Sequence, residues 1–204
     1  MPVRFVFLLA RQMLSALVEM QSRTPPIFHR DIKPQNIVWD RGERFVLIDF
    51  NISATVDNHS IAGTKPFVAP DLLTDGGKMT WDESADTFSL GVTLYQLLTH
   101  ALPWQGCGNA PKMSEKPTDI RVYNNGISDA FADFVMRAII TDRDKRFACA
   151  KDMLSALTSI GEDGLLPAPQ PKQLPKRHAT DVDIVDYVNS SQPSSASSTS
   201  ARFL

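Results

Sequence analysis

Residues His29 to Asp40 read HRDIKPQNIVWD, which places an Asp at 31, a Lys at 33 and an Asn at 36 directly after a segment of helical patterning. Asp31 can orient a hydroxyl and take its proton. Lys33 can neutralise charge on a phosphoryl group in transit, and Asn36 can hold a magnesium ion. This is the spacing of a phosphoryl-transfer catalytic loop. Eighteen residues beyond Asp31, Asp49-Phe50-Asn51 closes an apolar run. The Asp49 carboxylate is a hard oxygen ligand suited to magnesium.

The elements that must carry these residues can be read from periodicity. Leu9, Met13, Leu17 and Met20 recur at helical spacing, with Leu14 and Val18 on the flanks, and predict a helix from about Phe5 to Gln21. Thr24-Pro25-Pro26 stops it, because proline removes a donor and restricts the residue before it. Asn36 to Asp40 and Arg44 to Asp49 read as two short strands joined by a turn around Arg41-Gly42. Three further helices are expected: an apolar one over about Ser84 to Leu98, one from Asp129 to about Ile140, and one from Ala150 to Ile160. On the second of these, Phe131, Phe134, Val135, Ala138 and Ile139 share a face. The fold class this predicts is mainly α, an α+β arrangement with short β strands beside the catalytic cleft.

Together these motifs resemble the large, carboxy-terminal lobe of protein kinases, and Lys33 resembles the serine/threonine type. The resemblance covers about residues 5 to 160. It implies that Asp31 accepts the substrate hydroxyl proton, that Lys33 contacts the transferred phosphate, and that Asn36 and Asp49 bind Mg2+ with ATP. It also implies that Val38 lies with Ile48 and Phe50 on the face against which adenine and a second lobe would sit. His29 is expected as a packing and hydrogen-bonding strut, and Arg30 as a docking point for a phosphate on the activation segment. Gly63 to Asp71 (GTKPFVAPD) resembles the end of that segment. Thr64 would shape the loop near Asp31 and Lys33, and Asp71, where the family has a longer Glu, would pair with Arg146. Asp86-Thr87-Phe88-Ser89-Leu90-Gly91 resembles the start of the lobe's central helix, whose Asp accepts backbone N–H bonds from the catalytic loop. Asn51 stands where the family has Gly, a place that Asn tolerates better than other side chains. Ser60 or Thr55 is the expected phosphorylation site.

What the resemblance implies for function is ATP-dependent phosphoryl transfer to serine or threonine hydroxyls of a protein substrate. Residues 1 to 28 hold no lysine and no glycine, so they supply neither a Gly-rich loop nor a nucleotide-clamping lysine. Three expectations stand beside each other: a piece of a longer kinase, a lobe completed by a separate amino-terminal lobe or upstream chain, or a catalytically silent binding and scaffold module. The open face around Val38, Ile48 and Phe50 would make the isolated chain prone to self-association.

Composition narrows the setting. The 204 residues are 43% hydrophobic and 22% charged, ordinary for a globular protein. A net charge of −2 gives no electrostatic reason to expect nucleic acid or an anionic membrane as partner. Cys107 and Cys149 lack metal-type spacing and read as free thiols of a cytoplasmic protein. The apolar run Phe5 to Ala10 is far shorter than the ~20 residues a bilayer span needs and reads as buried helix. From Gly161 the composition turns to proline and then serine. The expected organisation is therefore a kinase-lobe domain over 1–160 and a disordered tail over 161–204.

Overall fold

The computed structural model describes residues 1–40, 42–50, 63–73, 81–104, 109–113 and 115–166. It is helix-rich with one small sheet, as the periodicity predicts. Helices α1 (Val3–Gln21), α2 (Glu83–Thr99), α3 (Asp129–Ala138) and α4 (Ala150–Ile160) pack around a shared core. Strands β1 (Ile37–Asp40) and β2 (Arg44–Leu47) form an antiparallel hairpin in the register Ile37↔Leu47 and Asp40↔Arg44. Met1–Ala168 is one compact unit. The other, Pro169–Leu204, lies outside the described residues, as do Asn51, Ser53, Thr55, Ser60 and Cys107.

Helix α2 is the pillar of this unit. Asp82 caps its start by accepting from the amides of Ser84 and Ala85, as short oxygen-bearing side chains do at an N-cap. It is buried on nearly every side from Ser84 to Tyr95, so its hydroxyls must find partners inside the protein. Ser89 donates to the Phe67 carbonyl at 2.7 Å, and Thr93 donates to the Ser89 carbonyl at 2.9 Å. Helix α1 buries Val6, Phe7, Leu9, Ala10, Met13, Leu14 and Leu17, so the apolar run Phe5 to Ala10 belongs to the core. No described helix is long and apolar enough to cross a membrane. The packed chain runs past Gly161. Leu165 is buried and its carbonyl accepts the Ser128 amide at 3.0 Å.

Two glutamines on α1 tie elements together through backbone groups. Gln21 donates to the Glu83 carbonyl and accepts from the Ala150 amide, joining the starts of α2 and α4. Gln12 donates to the Glu43 carbonyl at 2.8 Å and accepts from the Phe45 amide at 2.8 Å. Glu43 ends the hairpin turn with φ 61°, a left-handed conformation that costs a residue with a Cβ about 1–2 kcal/mol. Phe45 and Leu47 turn into the core, while Val38, Val46 and Trp39 are exposed on the hairpin. Trp39 meets Phe5 edge-on.

Where α2 crosses α3 the backbones approach closely. A Cβ on Gly91 would sit 2.6 Å from the Ala138 Cβ and 2.9 Å from Ile139 Cγ2. Alanine's higher helix propensity is worth about 1 kcal/mol at such a position, but overpacking costs typically ~1–3 kcal/mol. Packing wins where neither neighbour can swing away. Gly91→Ala is expected to destabilise the protein by about 1–2 kcal/mol, read as a lower urea midpoint at unchanged slope.

Candidate active site

The segment that carries Asp31 follows α1 and meets the amino-terminal turn of α2. Its anchor is Asp86, fully buried, whose two carboxylate oxygens accept the amides of His29 (2.8 Å) and Arg30 (3.0 Å). Bonds to an ionised acceptor are stronger than neutral ones. Burial pushes the Asp86 carboxyl up to about 6, opposed by those two amides and by the Arg30 charge. Arg30 has φ 71°, which aims successive backbone N–H groups at one carboxylate.

His29 is also buried. The Asp31 amide donates to its Nδ1 at 3.3 Å, so the proton is on Nε2, which donates to the Ile48 carbonyl at 3.0 Å. Its ring meets that of Phe50 at 4.8 Å between centroids. The expected strut is therefore present, and it links the loop to the segment that carries Asp49. Phe50, expected against a second lobe's helix, lies on His29 and stays 41% exposed.

Asp31 gathers four donors. Thr64 gives its amide (3.0 Å) and its hydroxyl (2.8 Å) to Oδ1. Lys33 Nζ (2.7 Å) and Asn36 Nδ2 (3.1 Å) donate to Oδ2. Lys33 also donates to the Thr64 hydroxyl at 2.8 Å, closing a ring of Asp31, Thr64 and Lys33. Desolvation tends to raise the Asp31 pKa. The bonds from Lys33 and Thr64, the Lys33 charge and the Asn36 bond outweigh it and hold the carboxyl below the usual range. Gly63, at φ 99°, lets the chain pass the Arg30 carbonyl where a Cβ would come within 2.6 Å, and this delivers Thr64 to Asp31.

The hairpin brings Asn36 beside Ile48, the residue before Asp49. The Ile48 amide donates to the Asn36 carbonyl at 2.9 Å, and Asp49 follows with φ 58° and is exposed. Asn36 also donates to the Asp31 carbonyl at 2.8 Å. Its amide nitrogen is thus spent on Asp31, and its oxygen is the atom left for a cation. Amide and carboxylate oxygens are the donor chemistry magnesium takes, with phosphate and water completing the shell. Among the described residues no group of three or more His, Cys, Asp or Glu side chains forms a metal site. Val38 is 46% exposed on the hairpin, one residue from the Ile37↔Leu47 pair.

At the far end of the site, Asp71 does reach its arginine. Arg146 Nη2 meets Asp71 Oδ1 at 2.5 Å with the Arg146 side chain fully buried. The guanidinium also lies over the Phe88 ring, 5.1 Å from its centroid. Arg146 Nε and Nη1 are buried without a hydrogen-bond partner among the described residues. Asp142 caps the turn that precedes Arg146 and pairs with Lys145 at 2.8 Å. The residues that spacing alone missed are Gln12 and Gln21. Their partners are backbone groups, which leave no mark in a sequence beyond a polar side chain beside an apolar stripe.

The site thus combines a central buried helix, a loop held by the carboxylate in that helix's first turn and an acid–lysine–threonine ring. Residues 4–156 match the family model of the protein kinase domain. The chain is 30% identical over 144 residues to a probable serine/threonine-protein kinase of Clostridium perfringens, covering 67% of this chain and 21% of that protein. It is 35% identical over 130 residues to the dual specificity mitogen-activated protein kinase kinase hemipterous of Drosophila melanogaster, covering 59% and 11%. A probable kinase, PglW, of Streptomyces coelicolor is 31% identical over 147 residues, covering 66% and 9%. The chain belongs to the protein kinase family. It spans about a tenth to a fifth of the length of these curated relatives.

Two outcomes follow from this geometry. Because burial lowers the His29 pKa from 6.5, the unfolded chain takes up a proton near that pH and the folded one resists it. Stability from this group is full above pH 6.5 and falls as pH drops toward the folded value. Asp86 acts oppositely, its contribution declining as pH rises from 3.8 to about 6. The difference in unfolding free energy between the wild type and His29→Asn isolates the histidine. It should shrink from pH 7 to pH 5.5, and the His29 ring should titrate below 6.5 by NMR. At the second position, Asp71→Ala strands a buried guanidinium and should cost about 3–5 kcal/mol in urea unfolding. Asp71→Glu should retain or raise stability.

Proposed function

We propose that this chain carries the phosphoacceptor side of an ATP-dependent protein serine/threonine kinase. The observation that supports this most is the ring formed by Asp31, Lys33 and Thr64. It places a carboxylate and an ammonium on one spot and sets a hydroxyl between them. In this reading the substrate's hydroxyl oxygen forms a bond to the γ-phosphorus as the bond to the β-bridging oxygen breaks. ADP departs, and the hydroxyl proton passes to Asp31. A carboxylate held ionised by its neighbours is a weak base, so its main work is to orient the hydroxyl and take the proton late.

Lys33 lies close enough to Asp31 to neutralise equatorial phosphoryl oxygens beside it. Asn36 and Asp49 are the residues that would hold Mg2+, which would supply charge neutralisation on the β- and γ-phosphates. Val38, exposed on β1, offers an apolar surface for the adenine. The lysine and Gly-rich loop that clamp ATP in this family would come from a separate amino-terminal lobe or upstream chain. A protein substrate is the partner. The free Cys149 thiol supports a reducing, cytoplasmic setting.

The rival reading is a catalytically silent interaction lobe, favoured by the exposed apolar pair Val38 and Val46 on the hairpin and by the exposed Phe50. Autophosphorylation and transfer to a generic protein substrate with Mg-ATP separate the two. For the kinase, Asp31→Asn should lower the transfer rate by about 10²–10⁴-fold, and Asp49→Ala should abolish magnesium-dependent nucleotide binding. With the ATP-clamping lobe supplied, nucleotide binding and transfer absent in the wild type, or unchanged in both variants, sink the kinase reading.

A further inference from the structure

The two residues read as magnesium ligands stand on opposite arms of one hairpin. Asn36 precedes β1, Asp49 follows β2, and the Ile48–Asn36 bond at 2.9 Å is the last rung between them. Their separation is therefore a property of strand register. A slip of one residue would move Asp49 by roughly 3.3 Å along its partner and turn Phe45 and Leu47 out of the core. Among the described residues the sheet has two strands, and no other described strand enforces that register.

Its turn works against it. Three residues, 41 to 43, connect the paired residues Asp40 and Arg44. A three-residue hairpin loop commonly ends on a left-handed residue, where glycine is favoured. Here that place is held by Glu43 at φ 61°. The one glycine of the turn, Gly42, sits a residue too early. Beside the burial of Phe45 and Leu47, a contact from outside the hairpin can offset that cost. The group that does so is the Gln12 carboxamide on α1. It donates to the carbonyl of the left-handed residue and accepts the Phe45 amide, both at 2.8 Å. One planar amide thus grips β2 at its entry, as a third strand would.

We propose that Gln12 is a positioning residue for the metal site: it locks the hairpin in the register that sets Asn36 and Asp49 apart by a magnesium-binding distance. This rests on the kinase reading for the roles of Asn36 and Asp49. Gln12 touches neither ligand nor substrate and acts only through β2.

The 204-residue chain can be tested with Gln12→Ala, Glu43→Gly and the double variant. The readouts are amide exchange at Phe45 and Ile48, and Mn2+ affinity from paramagnetic line broadening at Asn36 and Asp49. Gln12→Ala should speed exchange at both amides by tenfold or more and weaken Mn2+ binding by about five- to tenfold. Glycine in place of Glu43 removes the left-handed penalty, so Glu43→Gly in the Gln12→Ala background should restore most of both. Unchanged Mn2+ affinity in Gln12→Ala overturns the proposal. So does a loss that Glu43→Gly fails to rescue while global unfolding midpoints are matched with denaturant, and so does a wild type that binds no Mn2+. A wild type that binds Mn2+ with the expected dependence on Gln12, yet transfers no phosphate when the ATP-clamping lobe is supplied, sinks the kinase reading and leaves the positioning role standing.

Discussion

A single buried carboxylate governs the site. Asp86 sits at the first turn of a helix enclosed on almost every side, and it holds two consecutive amides of the loop that carries Asp31. Taking a carboxylate out of water is costly, and it is tolerated only where good donors replace the lost solvent. The two amides do so at 2.8 and 3.0 Å. The bond runs in both directions. The loop satisfies a charge the core could not otherwise contain, and the core fixes a loop that has almost no secondary structure of its own. Around that contact the remaining parts fall into order. His29 hands the geometry on to Ile48, Asn36 takes it to β1, and Gly63 brings Thr64 alongside.

Two kinds of support surround this anchor. The apolar kind is supplied by α1, α2, α3 and α4, whose buried faces meet in one core. The polar kind is supplied by side chains that capture backbone groups: Ser89 on Phe67, Gln21 on Glu83 and Ala150, Gln12 on Glu43 and Phe45. Burial specifies that helices pack. The backbone-capturing side chains specify at what height and register the irregular segments run between them. A lobe whose chemistry lies on loops needs both, because apolar packing alone does not fix a loop to within the half-ångström that catalysis demands.

Much of this is legible in the residue order. Helix α4 spans the residues its pattern predicts, and α1, α2 and α3 differ from theirs by one or two residues at one or both ends. Strong apolar periodicity leaves little choice of face. The hairpin strands are shorter than their patterns, because Asp49 turns left-handed and ends the ladder. Asp31, Lys33 and Asn36 were readable because they lie within six residues of each other. The pairing of Asp71 with Arg146 is expected from the family resemblance alone, and whether an acid shorter by one methylene still reaches depends on a fold that joins positions 75 apart. Phe50 shows the limit in another way. An aromatic side chain announces that it will pack, and only the fold says that its partner is an imidazole.

The crowding around Asp31 has one more consequence. A carboxylate offers about four lone-pair positions, and Thr64, Lys33 and Asn36 already fill that number. On the proposed kinase reading, an incoming alcohol would find no vacancy and would have to evict a resident donor before it could be held. The exchange would be nearly even in energy while the alcohol is intact, so docking alone would gain little from this group. Its benefit would come later, as the proton passes to the acid and Lys33, dislodged from it, turns to the phosphoryl oxygens. A pocket arranged in this way would discriminate by how far a reaction has advanced rather than by how tightly its reactant sits.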